Sequence, residues 1–126
     1  MKVLIVDDSA IVRVRLADLL YEVEGIHVVA QAEDAVQALE AVGTLNPAAV
    51  IVDVRMPRGS GIDLIEELKS TRQSPKIIVF TNYPTLENRD KCFSRGADYF
   101  FDKSMEIEEM IGVLTNLQRA SSDQSH

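Results

Sequence analysis

The chain has 126 residues, of which 46% are hydrophobic and 26% are charged. This length and composition fit one domain with a single buried core and argue against a disordered chain. Thirteen basic residues stand against twenty acidic ones, and the net charge of −7 has the wrong sign for neutralising nucleic-acid phosphates, so we expect no direct nucleic-acid partner.

The start of the sequence carries one lysine and a short apolar run at residues 3–6. This run is too short for the core of a signal peptide or for a membrane span. The single cysteine, Cys92, has no second cysteine with which to form a disulfide or a zinc site. We therefore expect a cytoplasmic chain that makes no contact with a membrane.

Five apolar runs recur along the sequence, and most of them are rich in β-branched residues. Continuous apolar runs, in contrast to alternating ones, are typical of strands buried on both faces of a parallel sheet. They predict strands at residues 3–6, 28–30, 50–52, 77–80 and 99–101.

Helical patterns, with apolar residues every three or four positions, follow each of these runs. They predict helices near residues 12–23, 35–42, 64–68, 86–95 and 107–117. Gly96 is placed to end the fourth helix as a left-handed cap. Ser104 is the predicted N-cap from which the last helix begins.

Alternating strands and helices predict an α/β fold, an open five-stranded parallel sheet with right-handed crossovers and helices on both faces. We expect this domain to span residues 1–120. Residues 121–126 offer nothing to bury and are predicted to form a polar, disordered tail.

Polar residues stand directly after the predicted strands, at the end of the sheet where open α/β folds bind ligands. Asp7 and Asp8 follow the first strand, Asp53 the third, Thr81 the fourth and Lys103 the fifth. Three neighbouring carboxylates repel one another unless they share a cation. Mg²⁺ prefers such oxygen ligands, and we expect Asp8 and Asp53 to bind it directly.

Phosphoryl transfer requires an oxygen nucleophile, a bridging cation and donors for the charge on the phosphoryl oxygens. Asp53 supplies a nucleophile, while the Thr81 hydroxyl and the Lys103 ammonium supply donors. Each of these residues alone is more often part of a turn, a cap or a solvated surface. Their joint placement at one end of a predicted sheet favours a functional site.

These motifs resemble the receiver domain of two-component response regulators from residue 3 to about residue 117. The resemblance implies a flavodoxin-like (βα)5 three-layer sandwich with strand order 2-1-3-4-5. The motifs that carry it are Leu4-Ile5-Val6-Asp7-Asp8, Asp53-Val54-Arg55-Met56-Pro57 with Gly61, Phe80-Thr81, and Gly96-Ala97-Asp98 before Lys103.

The resemblance implies that Asp53 receives a phosphoryl group from the phosphohistidine of a sensor histidine kinase or a histidine phosphotransfer protein. The domain would catalyse this transfer, and its own dephosphorylation, without being a turnover enzyme. Mg²⁺ would be bound by Asp8, Asp53 and the backbone carbonyl of Arg55, with Asp7 acting mainly through a metal-bound water.

Thr81 and Phe100 match the residues that form a two-state switch in this family. By the same resemblance, Phe100 turns inward when Thr81 moves toward the phosphoryl group. The change would reposition the surface of the fourth helix, fifth strand and fifth helix for a downstream protein target.

Three features depart from the family pattern. Lys103 precedes Ser104, where many receivers have a cis proline, and we predict a trans peptide bond here because a cis bond to a non-proline residue costs about 2.5–4 kcal/mol. Asn82 is larger than the small residue that is common at its position. Arg55 and Tyr83 flank the site, and we hypothesise that these bulky groups alter the lifetime of the phosphoryl group.

Three other classes of protein were weighed against this interpretation. A nucleotide or flavin binder needs a loop rich in Ser, Thr and Gly after the first strand, and a phosphohydrolase of the haloacid dehalogenase type needs an Asp-x-Asp motif there. Neither fits Asp7-Asp8-Ser9. The remaining alternative is a degenerate receiver that binds partners without phosphorylation. Because the sequence ends soon after the last helix, we expect a stand-alone receiver that acts through another protein.

Overall fold

The structure is a computed structural model that describes residues 1–56 and 59–124, the last three by their backbone only. Strands and helices alternate along these residues. The strands are β1 (Lys2–Val6), β2 (His27–Ala32), β3 (Ala49–Val52), β4 (Lys76–Thr81) and β5 (Tyr99–Asp102). The helices are α1 (Ala10–Tyr21), α2 (Ala35–Leu45), α3 (Gly61–Lys69), α4 (Leu86–Ser94) and α5 (Ile107–Gln124).

The five strands form one parallel sheet in the order β2-β1-β3-β4-β5. The predicted fold class and strand order are therefore confirmed. The interior strands β1, β3 and β4 are buried along almost their whole length, as continuous apolar runs predict. Parallel pairing places the ends of β1, β3, β4 and β5 together, and we call this the carboxyl end of the sheet.

The core lies in two layers, one on each face of the sheet. Alternate residues of each strand point to opposite faces, so Leu4 packs on the layer beneath α2, α3 and α4, whereas Ile5 packs beneath α1 and α5. Burying each large apolar side chain contributes about 1.5–3 kcal/mol. The two layers hold the strand ends in fixed positions.

Side-chain caps set where four of the helices begin. The side chains of Ser9, Asp34, Ser60 and Thr85 each accept a backbone N–H from the first turn of the helix that follows. After α4, Gly96 has a φ of +113°, which confirms its predicted role as a left-handed cap.

The boundaries of α5 differ from the prediction at both ends. The helix begins at Ile107, because the carboxylate of Asp102 accepts both the backbone N–H of Ser104 at 2.9 Å and its hydroxyl at 2.7 Å. The Ser104 side chain is thus bonded to Asp102, and the predicted N-cap was wrong. At its other end α5 continues to Gln124, so it includes the first four residues of the predicted tail, since each added residue contributes a further helical bond.

No cis peptide bond occurs in residues 1–56 and 59–124, which confirms the predicted trans bond between Lys103 and Ser104. Within the same residues, none of the helices has the length and apolar character needed to span a bilayer. Pro57, in the motif after Asp53, and the last two residues of the predicted tail lie outside the described residues.

Candidate functional site

The backbone of the sheet carries two aspartates directly to its carboxyl end. The N–H of Asp7 donates to the Ala32 carbonyl at 3.0 Å, and the N–H of Asp53 donates to the Val6 carbonyl at 3.2 Å. The hydrogen-bond ladder therefore continues one residue beyond β1 and β3. Only 3% of Asp7 and 6% of Asp53 are exposed, so both carboxylates are held in a buried setting.

Three carboxylates come together at this end, as the sequence predicted. Asp7, Asp8 and Asp53 each offer an oxygen, and these oxygens all lie within 4.8 Å of one another. Asp8 is exposed, whereas the other two residues are buried. A set of carboxylate oxygens that is open to solvent on one side fits a hard divalent cation such as Mg²⁺, which keeps part of its water shell.

Lys103 lies between the two buried carboxylates. Its ammonium donates to Asp7 Oδ2 at 2.6 Å and to Asp53 Oδ2 at 2.9 Å, and 11% of its side chain is exposed. Its backbone N–H donates to the Thr81 carbonyl at 2.8 Å, which ties it to the end of β4. The sequence placed Lys103 at this end of the sheet, but gave no signal that one ammonium would bridge both aspartates.

Burial and ion pairing shift the pKa values of the site residues in opposite directions. Burial raises the pKa of Asp7 above its ordinary value, although hydrogen bonds from Lys103 and Ser9 act to lower it. Burial by itself would lower the pKa of Lys103, but its bonds to Asp7 and Asp53 prevail and raise that pKa. The site therefore holds a charged ammonium beside carboxylates that are only partly compensated.

Ser9, the N-cap of α1, and Arg13 within α1 both bond to Asp7. The backbone N–H of Ser9 donates to Asp7 Oδ1 at 2.9 Å, and the guanidinium of Arg13 donates to the Asp7 backbone carbonyl. The sequence analysis missed Arg13. The available signal was its position one turn after the cap Ser9, from which a long side chain reaches back to the end of the strand.

A close approach of backbone explains why Gly61 opens α3. A Cβ atom at this position would lie 1.9 Å from the carbonyl oxygen of Asp53, so any larger residue would displace the backbone of Asp53. The N–H of Gly61 also donates to the Val54 carbonyl at 3.0 Å. Gly61 thus lets the first turn of α3 pack directly against the chain that carries Asp53.

The loops after β3 and β4 each direct a backbone N–H toward a site side chain. The N–H of Arg55 lies 3.4 Å from Asp53 Oδ1, and the N–H of Tyr83 donates to Thr81 Oγ1 at 3.1 Å. Thr81 is fully buried, whereas Asn82 is exposed. The roles of the Arg55 carbonyl as a metal ligand and of Thr81 as a phosphoryl donor remain predictions.

Phe100 is buried on the side of the sheet that faces α4. Its ring centre lies 6.4 Å from that of Phe93, and it belongs to the same core layer as Cys92. Its neighbours Tyr99 and Phe101 stack on each other at 6.4 Å on the opposite face. Phe100 is therefore the aromatic residue of β5 that contacts α4, while its action as a switch remains a prediction.

The chain matches the response regulator receiver domain over residues 3–115. It is 36% identical over 113 residues to the transcriptional regulatory protein PdtaR of Mycobacterium tuberculosis, covering 90% of this chain and 54% of that protein. It is 33% identical over 125 residues to the response regulator MprA of a Mycobacterium species, covering 96% and 52%. A solved two-component response regulator of the LuxR family from an Aurantimonas species superposes with a TM-score of 0.87 at 26% identity, covering 94% and 85%.

The fold, the acidic cluster and these matches define a signalling domain of two-component systems. The chain belongs to the response regulator receiver domain family, as its motifs suggested. It spans about half the length of the curated relatives that it matches. Response regulators accept phosphoryl groups and interact with kinases and downstream targets.

Proposed function

We propose that this protein accepts a phosphoryl group on Asp53 in a Mg²⁺-dependent transfer. The donor is the phosphohistidine of a sensor histidine kinase or of a histidine phosphotransfer protein in the cytoplasm. One observation carries the proposal. Three carboxylate oxygens lie within 4.8 Å of one another at the carboxyl end of a buried sheet, and the Lys103 ammonium bonds to the two buried carboxylates, Asp7 and Asp53.

The chemistry uses the carboxylate of Asp53 as the nucleophile. An oxygen of Asp53 attacks phosphorus, the bond from phosphorus to the imidazole nitrogen breaks, and its electron pair stays on that nitrogen. Lys103 already lies 2.9 Å from Asp53 Oδ2, so its ammonium is placed to stabilise charge on the phosphoryl oxygens. The Thr81 hydroxyl would supply a further donor once the loop after β4 moves.

Asp7, Asp8 and Asp53 would hold the Mg²⁺ ion together with the backbone carbonyl of Arg55. When bound, the ion would neutralise charge on the phosphoryl oxygens and on the carboxylates. The fit rests on the donor set, because in residues 1–56 and 59–124 the three carboxylates have one ammonium, that of Lys103, within ion-pair distance. Asp7, whose oxygens accept hydrogen bonds from Lys103 and Ser9, would act mainly through water.

Phosphorylation would reposition the surface of α4, β5 and α5, to which a downstream protein would bind. For the Thr81 hydroxyl to reach a phosphoryl group, it must give up or weaken its bond from the Tyr83 N–H. That exchange would shift the loop leading into α4. Phe100 lies beneath α4 against Phe93, so a change in its packing would alter the position of this helix. The phosphoryl group would leave by self-catalysed hydrolysis, without enzymatic turnover.

The test is incubation of the purified chain with a small phosphodonor, such as acetyl phosphate, followed by intact mass spectrometry. We expect a gain of one phosphoryl group with Mg²⁺ and none when the metal is chelated. Asp53→Asn should show no gain. Asp98→Asn is the matched control, because it makes the same change at the opposite end of the sheet. No Mg²⁺-dependent gain in the wild-type chain would favour a degenerate receiver that binds partners without phosphorylation.

A further inference from the structure

The residue before Lys103 and the residue after it are bonded to each other. Asp102 Oδ1 accepts both the backbone N–H of Ser104 at 2.9 Å and its hydroxyl at 2.7 Å. A carboxylate that bonds the backbone two residues further on closes a tight turn, and Lys103 lies at the centre of this one. The bonds from the Ser104 hydroxyl and N–H lower the pKa of Asp102, so the carboxylate stays charged near neutral pH.

Glu106 is bonded to the same turn through two further hydrogen bonds. Its Oε1 accepts the backbone N–H of Asp102 at 3.0 Å, and its own N–H donates to the Asp102 carbonyl at 2.8 Å. The carbonyl of Glu106 accepts the N–H of Met110 at 3.0 Å, which attaches it to the first turn of α5. We call Asp102, Ser104 and Glu106, with the bonds among them, the β5–α5 brace.

The brace surrounds the residue whose side chain reaches the site. The Lys103 ammonium bonds to Asp7 at 2.6 Å and to Asp53 at 2.9 Å. It does so from a flexible four-carbon stem, and ordering such a side chain costs up to about 2 kcal/mol of conformational entropy. A backbone that is fixed on both sides of Lys103 limits the directions in which the ammonium can point. Ser104 has no ring to restrict the turn, in contrast to a proline, so the hydrogen bonds of the brace supply the restriction.

We propose that Asp102 and Glu106 are positioning residues for Lys103 and that the β5–α5 brace sets the rate at which Asp53 takes up a phosphoryl group, an inference that rests on the proposed function. In that transfer Lys103 keeps its proton and donates hydrogen bonds to the phosphoryl oxygens, while the phosphorus–nitrogen bond breaks and the bond to the Asp53 oxygen forms. Such a donor is effective when it is held within about 0.5 Å of its productive position. The brace acts through the position of the ammonium alone.

Loss of the brace should slow uptake less than loss of the ammonium itself. Asp102→Ala removes the acceptor of both bonds from Ser104, and Glu106→Ala removes the acceptor of the Asp102 N–H. Each should lower the rate at saturating Mg²⁺ about five- to tenfold, because the ammonium stays near the site but is no longer held in one place. The Mg²⁺ concentration that gives half of this rate should rise by no more than about twofold, since neither residue belongs to the acidic cluster.

Uptake from acetyl phosphate, followed by intact mass over a range of Mg²⁺ concentrations, tests the brace. Asp102→Asn and Glu106→Gln keep the accepting oxygen without the charge, so both should stay within about twofold of the wild-type rate. Glu109→Ala is the matched control, because Glu109 is an exposed glutamate in the first turn of α5. In a Lys103→Met chain, Asp102→Ala should slow uptake no further, because the ammonium through which the brace acts has gone.

The outcomes separate the brace from the function on which it rests. If the wild-type chain takes up no phosphoryl group, the proposed function and the brace both fail. If it is phosphorylated and the Asp102→Ala and Glu106→Ala variants keep its rate, the brace alone is overturned. The brace is also overturned if Asp102→Asn is as slow as Asp102→Ala, which would show an effect of charge, or if Asp102→Ala slows uptake further in the Lys103→Met chain. A larger rise in the half-saturating Mg²⁺ concentration would overturn it as well, because it would show a general disturbance of the acidic cluster.

Discussion

The sheet carries an Asp–Lys cluster at each end of its strands, and the two clusters differ in composition. The carboxyl-end cluster consists of Asp7, Asp8, Asp53 and Lys103, so that three carboxylates lie near one ammonium. Its two buried carboxylates share that ammonium, and the negative charge of the three carboxylates exceeds the positive charge of Lys103. Such a group gains stability when a further cation joins it.

In the amino-end cluster, ammonium groups outnumber carboxylates. Asp98 is its single carboxylate, and it lies 2.7 Å from the Lys69 ammonium and 4.0 Å from that of Lys76. It also accepts the backbone N–H of Ile77 at 2.8 Å. This carboxylate has a full set of partners, and its bonds tie α3, β4 and β5 together.

The difference separates a structural ion pair from a binding site built from the same residue types. A carboxylate that is satisfied by its own chain holds elements in place, whereas carboxylates in excess provide ligands for a cation. Equivalent substitutions at the two ends should therefore have different and partly opposite effects.

Removal of one lysine from each cluster should separate an effect on phosphorylation from an effect on stability most clearly. Lys103→Met should lower the rate of phosphoryl uptake roughly 100-fold, because it removes a preorganised donor for the phosphoryl charge. Lys69→Met should leave that rate unchanged within about twofold and should lower only the free energy of unfolding. Similar uptake rates in the two variants would contradict the proposed role of Lys103.

Replacing one carboxylate by an amide at each end should change stability in opposite directions. Asp98→Asn should lower the free energy of unfolding by about 1 kcal/mol, because it weakens the bonds to Lys69 and Ile77. Asp7→Asn should raise it by about 0.5–1 kcal/mol in the absence of Mg²⁺, since it removes charge from a crowded functional site. Urea unfolding measures both values. Changes of the same sign would contradict the proposed difference between the two clusters.

The increase in the free energy of unfolding caused by Asp7→Asn should depend on pH. Burial raises the pKa of Asp7 in the folded chain above its ordinary value of 3.8, so the folded state holds this proton more tightly than the unfolded state. The stabilising effect of protonation is complete below 3.8 and is lost as pH rises through the folded pKa. The difference in the free energy of unfolding between Asp7→Asn and the wild-type chain should therefore grow as pH rises above about 4 in metal-free urea titrations. A difference independent of pH would contradict this assignment.

Cys92 should report the rigidity of α4, which belongs to neither cluster. The thiol is buried, and burial raises its pKa to about 11. At pH 8 about one thiol in a thousand would be ionised, so alkylation of the native chain should be at least about 100-fold slower than alkylation in denaturant. Equal rates would show that α4 opens freely in the folded state.

Most of the fold and the members of the site were predictable from local signals. Continuous apolar runs identified the strands, and the residues directly after those runs identified Asp53 and its neighbours. The N-cap at Ser104 was wrong because the nearby Asp102 carboxylate captures its hydroxyl. Sequence periodicity contains no information on which of two local hydrogen bonds prevails.

Contacts between distant segments were not predictable in the same way. The bridge from Lys103 to both buried aspartates depends on the length and path of one side chain across three strands. The guanidinium carbon of Arg55 lies 3.8 Å from the centre of the Tyr83 ring, and this contact joins two loops that have no common pattern in the sequence. The sequence placed all of these residues at one end of the sheet, but their pairing follows from three-dimensional geometry.

The most direct test of the central claim is to locate the phosphoryl group on the chain. After incubation with acetyl phosphate and Mg²⁺, borohydride reduces an aspartyl phosphate to a stable alcohol that peptide mass spectrometry can assign to one position. The account predicts reduction at Asp53, dependent on Mg²⁺ and absent from Asp53→Asn. Reduction at another carboxylate, or at Asp53 without any need for the metal, would contradict it.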